Sequence, residues 1–260
     1  MINMTVMGGL GNQLFQWACA RNLQEKYGHY INYNYDFYKG QDWRKPQLDE
    51  FKNIVFNSVE ENYTLGQVSI GDGFNYDNFL RYDFSQTQRC YNLQGYWQSE
   101  KYFKENEQVI RNNLDIDQDT TYYINDNYPF IGKEKTASIH IRRTDYVTSN
   151  GYHPVQPISY YEEALSHVEY DKLVVFSDDV QWCRGNLVFD EMVFAEGNTD
   201  IEDLYLMSAC DDNIIANSSF SWWAAWLNKN DNKKVVAPQK WFGPGAPSSQ
   251  DIIPEDWITI

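Results

Sequence analysis

Two of the eight arginines in this acidic chain, Arg142 and Arg143, stand side by side. They fall in the stretch from Thr136 to Val147, T-A-S-I-H-I-R-R-T-D-Y-V, where an apolar, β-prone run gives way to His140, the arginine pair and Asp145. A guanidinium is planar, charged at any working pH, and matches the oxygens of phosphate or carboxylate. Ligands of open α/β sheets bind beyond the carboxyl ends of strands. The pair therefore marks a candidate site for a phosphorylated ligand. One fork would hold a diphosphate and neutralise the charge that grows on a departing phosphate. The competing reading is structural: salt bridges to some of the 37 acidic residues.

Other groups have the same double character. Ser177-Asp178-Asp179 closes another apolar run. Either aspartate can bind a divalent metal or a sugar hydroxyl, and capping the next helix is the default. In I-I-A-N-S-S-F-S-W-W-A-A-W-L, Ile214 to Leu227, a strand ends in Asn217-Ser218-Ser219 and a helix begins near Ser221. Free N–H groups at a helix start attract anions, so Ser218 and Ser219 fit either anion binding or plain capping. Trp222, Trp223 and Trp226 read as core. Asp203, in the preceding helix, has acceptors that match the N1–H and N2–H₂ donors of guanine; its bland reading is a surface residue. G-G-L-G-N-Q, Gly8 to Gln13, permits a tight turn or close ligand approach. It is not G-x-G-x-x-G and lacks a convincing acidic ribose partner, so a dinucleotide site is not implied. His153 follows the arginine motif closely; His167 has no such context.

The elements that must position these residues alternate. Ile2 to Met7 reads as a buried strand, Asn12 to Tyr27 as a helix capped by Gly28, and Ile31 to Tyr35 as the next strand. Residues 36 to 95 lack sustained periodicity and read as irregular, with short helices and strands. Glu100 to Leu114 reads as a helix. Asp115 to Tyr128 is polar and reads as a solvated linker; its calcium-loop-like start lacks the central glycine. Beyond it come strands at Thr136–Ile141, Leu173–Phe176, Val193–Ala195, Asn213–Ala216 and Val235–Pro238. Helices are expected at Ser159–Val168, with Glu162 completing a capping box, at Asp200–Cys210 and at Ser221–Leu227. Such alternation implies parallel sheets covered by helices, in two α/β halves.

Composition excludes several roles. The 260 residues suffice for two compact domains, and a net charge of −16 argues against nucleic acid and against electrostatic attachment to anionic lipid. Membrane association is expected to be peripheral at most. Four scattered cysteines, Cys19, Cys90, Cys183 and Cys210, form no C-x-x-C pair and suit a reducing compartment. With no signal-peptide pattern and no 18-residue apolar run, the expectation is a soluble cytoplasmic protein, or a catalytic domain of something longer.

In their order, G-G-L-G-N-Q-L-F-Q, H-I-R-R-T-D-Y-V, S-D-D, N-S-S-F-S-W-W-A-A-W-L and V-A-P-Q-K-W-F resemble the blocks of the α-1,2-fucosyltransferase family, glycosyltransferase family 11. The set spans nearly the whole chain, with residues 36 to about 95 matching least. The resemblance implies an α/β, two-lobed glycosyltransferase B-type fold with Rossmann-like lobes and a central cleft. Residues 1–130 would form the acceptor-side lobe and 131–260 the GDP-fucose-binding lobe. The implied reaction is inverting transfer of L-fucose from GDP-β-L-fucose to the 2-hydroxyl of a terminal galactoside of a surface glycan, with no cofactor and no metal. Carried over, Arg142 holds the β-phosphate, Arg143 supports it and His140 lies near the nucleotide. Asp203 reads guanine, Ser218 and Ser219 contact the diphosphate, and Asp178 or Asp179 binds or shapes the donor pocket. Gly9, Gly11, Asn12 and Gln13 face the acceptor.

Inversion calls for a group that takes the acceptor hydroxyl's proton. More distant fucosyltransferases carry a glutamate past the arginine pair; here Thr148-Ser149-Asn150 offers no carboxylate. Asp145 is the first candidate and His153 the second, with Asp145 alternatively holding an arginine in place. Rival readings are a transferase with another GDP-sugar or acceptor, a protein O-fucosyltransferase, and a non-catalytic carbohydrate-binding protein. A nucleotide-dependent regulator would call for G-x-x-x-x-G-K-[ST], which is absent.

Overall fold

The computed structural model describes residues 1–56, 65–72, 74–149, 151–246 and 248–260. These form two compact units. The first comprises Met1–Asp115 with Ser248–Pro254, and the second Ile116–Pro247 with Glu255–Ile260.

In the first unit, β1 (Ile2–Thr5), α1 (Leu10–Tyr27), β2 (Ile31–Asn34), β3 (Gln67–Gly71), α2 (Tyr76–Phe79), β4 (Cys90–Gln94) and α3 (Glu107–Asn113) follow in order. The sheet is parallel, ordered β2-β1-β4-β3. The expected opening strand–helix–strand is present, and Gly28 ends α1 in the left-handed region at φ 73°. Half of this sheet, β3 and β4, lies in the stretch read as irregular. Edge strand β3 buries only Ile70, so it carries almost no apolar signal. The helix expected over Glu100–Leu114 is two 3₁₀ turns followed by α3, because Phe103, at φ −143°, interrupts the helical path.

The second unit contains α4 (Gln118–Asn127), β5 (Thr136–Ile141), α5 (Thr144–Thr148), α6 (Ile158–Leu165), β6 (Lys172–Ser177), α7 (Val180–Asn186), β7 (Met192–Phe194), α8 (Asp200–Ala209), β8 (Asp212–Ile214), α9 (Ser219–Leu227), β9 (Val235–Ala237) and β10 (Ile258–Thr259). Its parallel sheet is ordered β10-β9-β8-β5-β6-β7. Order reverses between β5 and β8, which makes their carboxyl ends the switch point where such sheets bind ligands.

Two local expectations are corrected. The stretch read as a solvated linker contains α4, because Asp117 accepts from the Thr120 amide at 3.0 Å and Thr120 and Ile124, one turn apart, are buried. That helix belongs to the second unit, so the units part at residue 115, ahead of the expected division after 130. Ser159 does not cap α6, which starts at Ile158 behind Pro157 with no side-chain cap. The capping box is instead Thr199–Glu202 at α8.

Strand β5 is buried along its whole length, as expected for a central parallel strand covered on both faces. Alternation splits its side chains. Ala137, Ile139 and Ile141 join a core with Tyr160, Tyr161 and Ala164 of α6. Thr136, Ser138 and His140 face the other way. The Asn213 amide donates to Ser138 Oγ at 2.7 Å, Thr136 Oγ donates to Asp211 at 3.0 Å, and His140 packs edge-on to Phe220 at 6.0 Å. On that side α9 presents Trp222, Trp223 and Trp226, all buried as core. The four cysteines are buried and free.

Candidate active site

The β5–β6 register decides what meets the arginine pair. Residues pair at a constant offset, from Thr136↔Lys172 to Ile141↔Ser177. One step further, Arg142 and Arg143 emerge beside Asp178 and Asp179. The Arg143 amide donates to Asp178 Oδ1 at 2.8 Å, and the Thr144 hydroxyl donates to Oδ2 of the same carboxylate. Arg142 Nη1 lies 3.2 Å from Asp178 Oδ2, while its Nε and Nη2 lie 3.0 and 2.8 Å from Asp145 Oδ1. Arg143 Nε reaches Asp179 Oδ2 at 3.3 Å, and its guanidinium lies over the Trp182 ring at 3.6 Å. Both side chains are largely buried, and carboxylates brace each fork. Asp179 also caps α7, accepting from the Trp182 amide at 3.1 Å. The salt-bridge and capping readings are thus both present in the geometry, and they fix where the two forks point.

Around this pair, the α5 segment is tied to the turn after β8. The Tyr146 hydroxyl donates to the Asn217 carbonyl at 2.9 Å, and the Asn217 amide donates to the carbonyls of Pro154 and Trp241 at 3.0 and 2.9 Å. His153 stacks on Tyr146, with ring centroids 4.8 Å apart at 15°. Three buried atoms here have no partner among the described residues: His140 Nδ1, His153 Nδ1 and Asn217 Oδ1. Such atoms call for an explanation, and a polar ligand supplies one. Burial, with the Arg142 charge adding to it, pushes His140 down to about 3, so it is neutral at any working pH. Burial also lowers His153, with the Asp145 charge opposing. Ser218 precedes α9 but makes no side-chain capping bond, so it leaves the first-turn N–H groups of that helix, which follows the carboxyl end of β8, uncapped. Ser219 opens the helix.

The structure therefore gathers Arg142, Arg143, Asp145, Asp178, Asp179 and His153 into one cluster, with His140, Ser218 and Ser219 on the same strand ends. Asp203, in the first turn of α8, has a hydrogen-bond network of its own. Its Oδ1 accepts from the Asn198 amide at 2.7 Å, and the Tyr123 and Tyr128 hydroxyls donate to Asn198 Oδ1 at 2.6 and 3.1 Å. Burial raises Asp203 to about 6, with the Asn198 hydrogen bond opposing and Asp200 and Glu202 adding. Tyr146, Trp182, Asn198 and the orphaned Asn217 Oδ1 escaped sequence reasoning. Asn217 sat inside a quoted motif, but its role depends on what surrounds it. Of the Thr148-Ser149-Asn150 stretch, Asn150 lies outside the described residues.

In the first unit the glycine turn closes β1. Gly8 needs its left-handed φ of 83°, and a Cβ at Gly9 would strike the Arg44 guanidinium. Gly11 is buried in the first turn of α1. Gln13 is fully used internally: Nε2 donates to the carbonyls of Gly8 and Lys45, and Oε1 accepts from the Gln47 amide. Asn12 Oδ1 accepts from Gln98 at 2.7 Å.

Among the described residues, no group of three or more His, Cys, Asp or Glu is placed to hold a metal ion, and no helix is long and apolar enough to cross a membrane.

This α/β architecture is that of glycosyltransferase B-type enzymes. The structure is similar to the Bradyrhizobium NodZ α-1,6-fucosyltransferase soaked with GDP-fucose, at TM-score 0.53 and 14% identity over 87% of this chain and 91% of that one. It is also similar to the Escherichia coli ADP-heptose lps heptosyltransferase II, at TM-score 0.55 and 11% identity over 100% and 89%. Sequence is the sharper guide to family: the model of glycosyl transferase family 11 matches residues 52–260, and the chain belongs to that family. It is 30% identical to the O-antigen biosynthesis glycosyltransferase WbnK of Escherichia coli, over 97% of this chain and 98% of the relative. It is 31% identical to an Escherichia coli alpha-1,2-colitosyltransferase, over 97% and 96%.

Proposed function

We propose that this glycosyltransferase is an inverting, metal-independent α-1,2-fucosyltransferase. It moves L-fucose from GDP-β-L-fucose to the 2-hydroxyl of a terminal galactoside of a surface glycan. The carrying observation is the arginine pair at the β5/β8 switch point, each fork braced by a carboxylate, beside three buried polar atoms without partners. Arg142 binds the β-phosphate and stabilises the departing GDP, with Arg143 in support and neutral His140 close to the nucleotide. Ser218, Ser219 and the α9 amides contact the diphosphate. Asp178 and Asp179 shape the donor pocket by aiming the arginines.

Two groups are placed to take the acceptor proton. Asp145 already engages Arg142, which gives it a second role as that arginine's brace. His153 is neutral, held by ring stacking, and carries an unpartnered Nδ1. Gly9, Gly11 and Asn12 form the acceptor side, and Gln13 shapes it by tying its loops. A colitose donor is the second reading, favoured by the 31% identical colitosyltransferase.

The test is GDP release from GDP-fucose and from GDP-colitose, with and without lactose, and with a chelator. Lactose-dependent, chelator-resistant release from GDP-fucose is the expected result. Release from GDP-colitose alone moves the donor assignment, and no release from either donor rejects the proposed reaction.

Asp203 as guanine reader makes a pH prediction. Burial raises its carboxyl from the ordinary 3.8 to about 6 in the folded chain. The stability gained by burying it neutral is full below 3.8 and is lost as pH rises through about 6. Guanine binding needs the ionised form, so GDP affinity is expected to fall as pH drops below about 6, by roughly tenfold per unit at the limit. Calorimetric titration checks this. Asp203→Asn should bind GDP weakly with no such pH dependence, and a flat wild-type profile across this range would remove Asp203 from guanine recognition.

A further inference from the structure

A hollow of about 420 Å³ in the first unit opens at the carboxyl ends of β3 and β4, where Asn75, Asn78, Arg81 and Tyr82 line it above a floor of three rings. Its floor is rigid. Phe79, Trp97 and Tyr102 are buried and meet one another edge to face, with centroids 5.0 to 5.6 Å apart. Its shape is held against a backbone cost. Trp97 and Phe74 adopt left-handed φ values of 54° and 50°, a region that disfavours large side chains. The Asp72 carboxylate pins both loops, accepting from the amides of Phe74, Tyr96 and Trp97 at 2.9, 3.0 and 2.7 Å. A Cβ at Gly95 would collide with Asp72, so glycine is required there.

The polar groups of this hollow are not consumed by the fold. Trp97 Nε1 is buried without a partner among the described residues. Asn75 Oδ1 accepts from the Asn78 amide at 3.2 Å, and its NH₂ has no partner among the described residues. The Asn78 side chain and the Arg81 guanidinium have no partner among the described residues, although the chain carries 37 carboxylates. Aromatic walls with amides and a cationic fork suit a ring that has a C–H face and hydroxyl edges.

We infer that this hollow is a saccharide subsite, in which a hexopyranose lies against the Tyr82 ring above the aromatic floor and its hydroxyls are bound by Asn75, Asn78 and Arg81. Saccharide as the ligand class rests on the glycosyltransferase reading; the pocket itself requires no nucleotide. It would hold a sugar unit of the acceptor glycan through the first unit alone.

The experiment is ligand-observed saturation-transfer NMR on the whole chain without nucleotide. The probes are methyl β-D-galactopyranoside, methyl N-acetyl-β-D-galactosaminide and methyl β-D-glucuronide, with GDP titrated separately. At least one saccharide should bind the wild type. The exposed double variant Asn78→Ala/Arg81→Ala should weaken it by about tenfold or more, and Tyr82→Ala should act in the same direction. GDP binding should be unchanged in both. Equal saccharide affinity in wild type and variants overturns the proposal, as does the absence of binding by all three probes. Failure of GDP to bind, with the saccharide response intact and lost in the variants, would reject the donor reading and leave the subsite standing.

Discussion

Arg142→Ala is expected to lower kcat by roughly 10²–10³-fold, the cost of removing one preorganised donor from a developing negative charge. The fold should survive. Among the described residues Arg142 forms ion pairs with Asp145 and Asp178 and lies over the Tyr146 ring at 5.5 Å, at the partly exposed end of β5, and partly exposed ion pairs are worth about 1 kcal/mol or less. Its removal also takes a neutralising cation from beside both aspartates, which increases local negative charge where GDP must bind. Loss in KM for the donor is therefore expected alongside kcat. Arg142→Lys keeps the charge but not the fork that is fixed between two carboxylates, so it should recover only part of the loss. Steady-state kinetics with GDP-fucose, with circular dichroism to verify folding, provides the measurement. Near-normal turnover in a folded Arg142→Ala protein would eliminate its phosphate role and leave Arg142 a structural brace.

Trp222→Ala should have the largest effect on stability, a loss of roughly 3–5 kcal/mol. Trp222 is fully buried. Its ring centroid lies 5.3 Å from that of Trp223, 6.2 Å from Trp226 and 5.4 Å from Trp257. Helix α9 therefore depends on indole packing along most of its length, and a cavity of indole size cannot close without shifting it. That shift reaches function, because the same helix begins at Ser219 and presents its amides at the switch point. Urea unfolding should show the lower midpoint, and GDP affinity should decline in the still-folded variant. A loss below about 1 kcal/mol would show that the cluster relaxes around the missing ring and that the packing argument is wrong.

The sequence carried the family in ordered blocks; the family model matches residues 52–260, which hold four of the five, and the opening Gly8–Gln16 block lies outside that match. The parallel α/β character was legible for a physical reason. A strand covered on both faces, such as β5, must be apolar or polar-satisfied along its length, and that shows as a run. It was not legible where covering is partial. Strand β3 buries one side chain, and α4 buries Thr120 and Ile124 on an otherwise polar helix, so neither produces a periodic signal strong enough to separate it from loop.

For the site, residue types alone determined that His140, Arg142, Arg143, Asp178 and Asp179 lie at strand ends and suit anionic chemistry. Only tertiary structure decided which arginine meets which aspartate, since that follows from the β5–β6 register and a one-residue slip would exchange the partners. Tertiary structure also set Asp203 apart in its own network with Asn198, where burial rather than residue type raises its carboxyl to about 6. The same holds for the buried atoms left without partners and for the aromatic hollow of the first unit. Residue identity specifies what a group can donate or accept; desolvation and proximity, which come only from packing distant segments together, specify whether that capacity is already used.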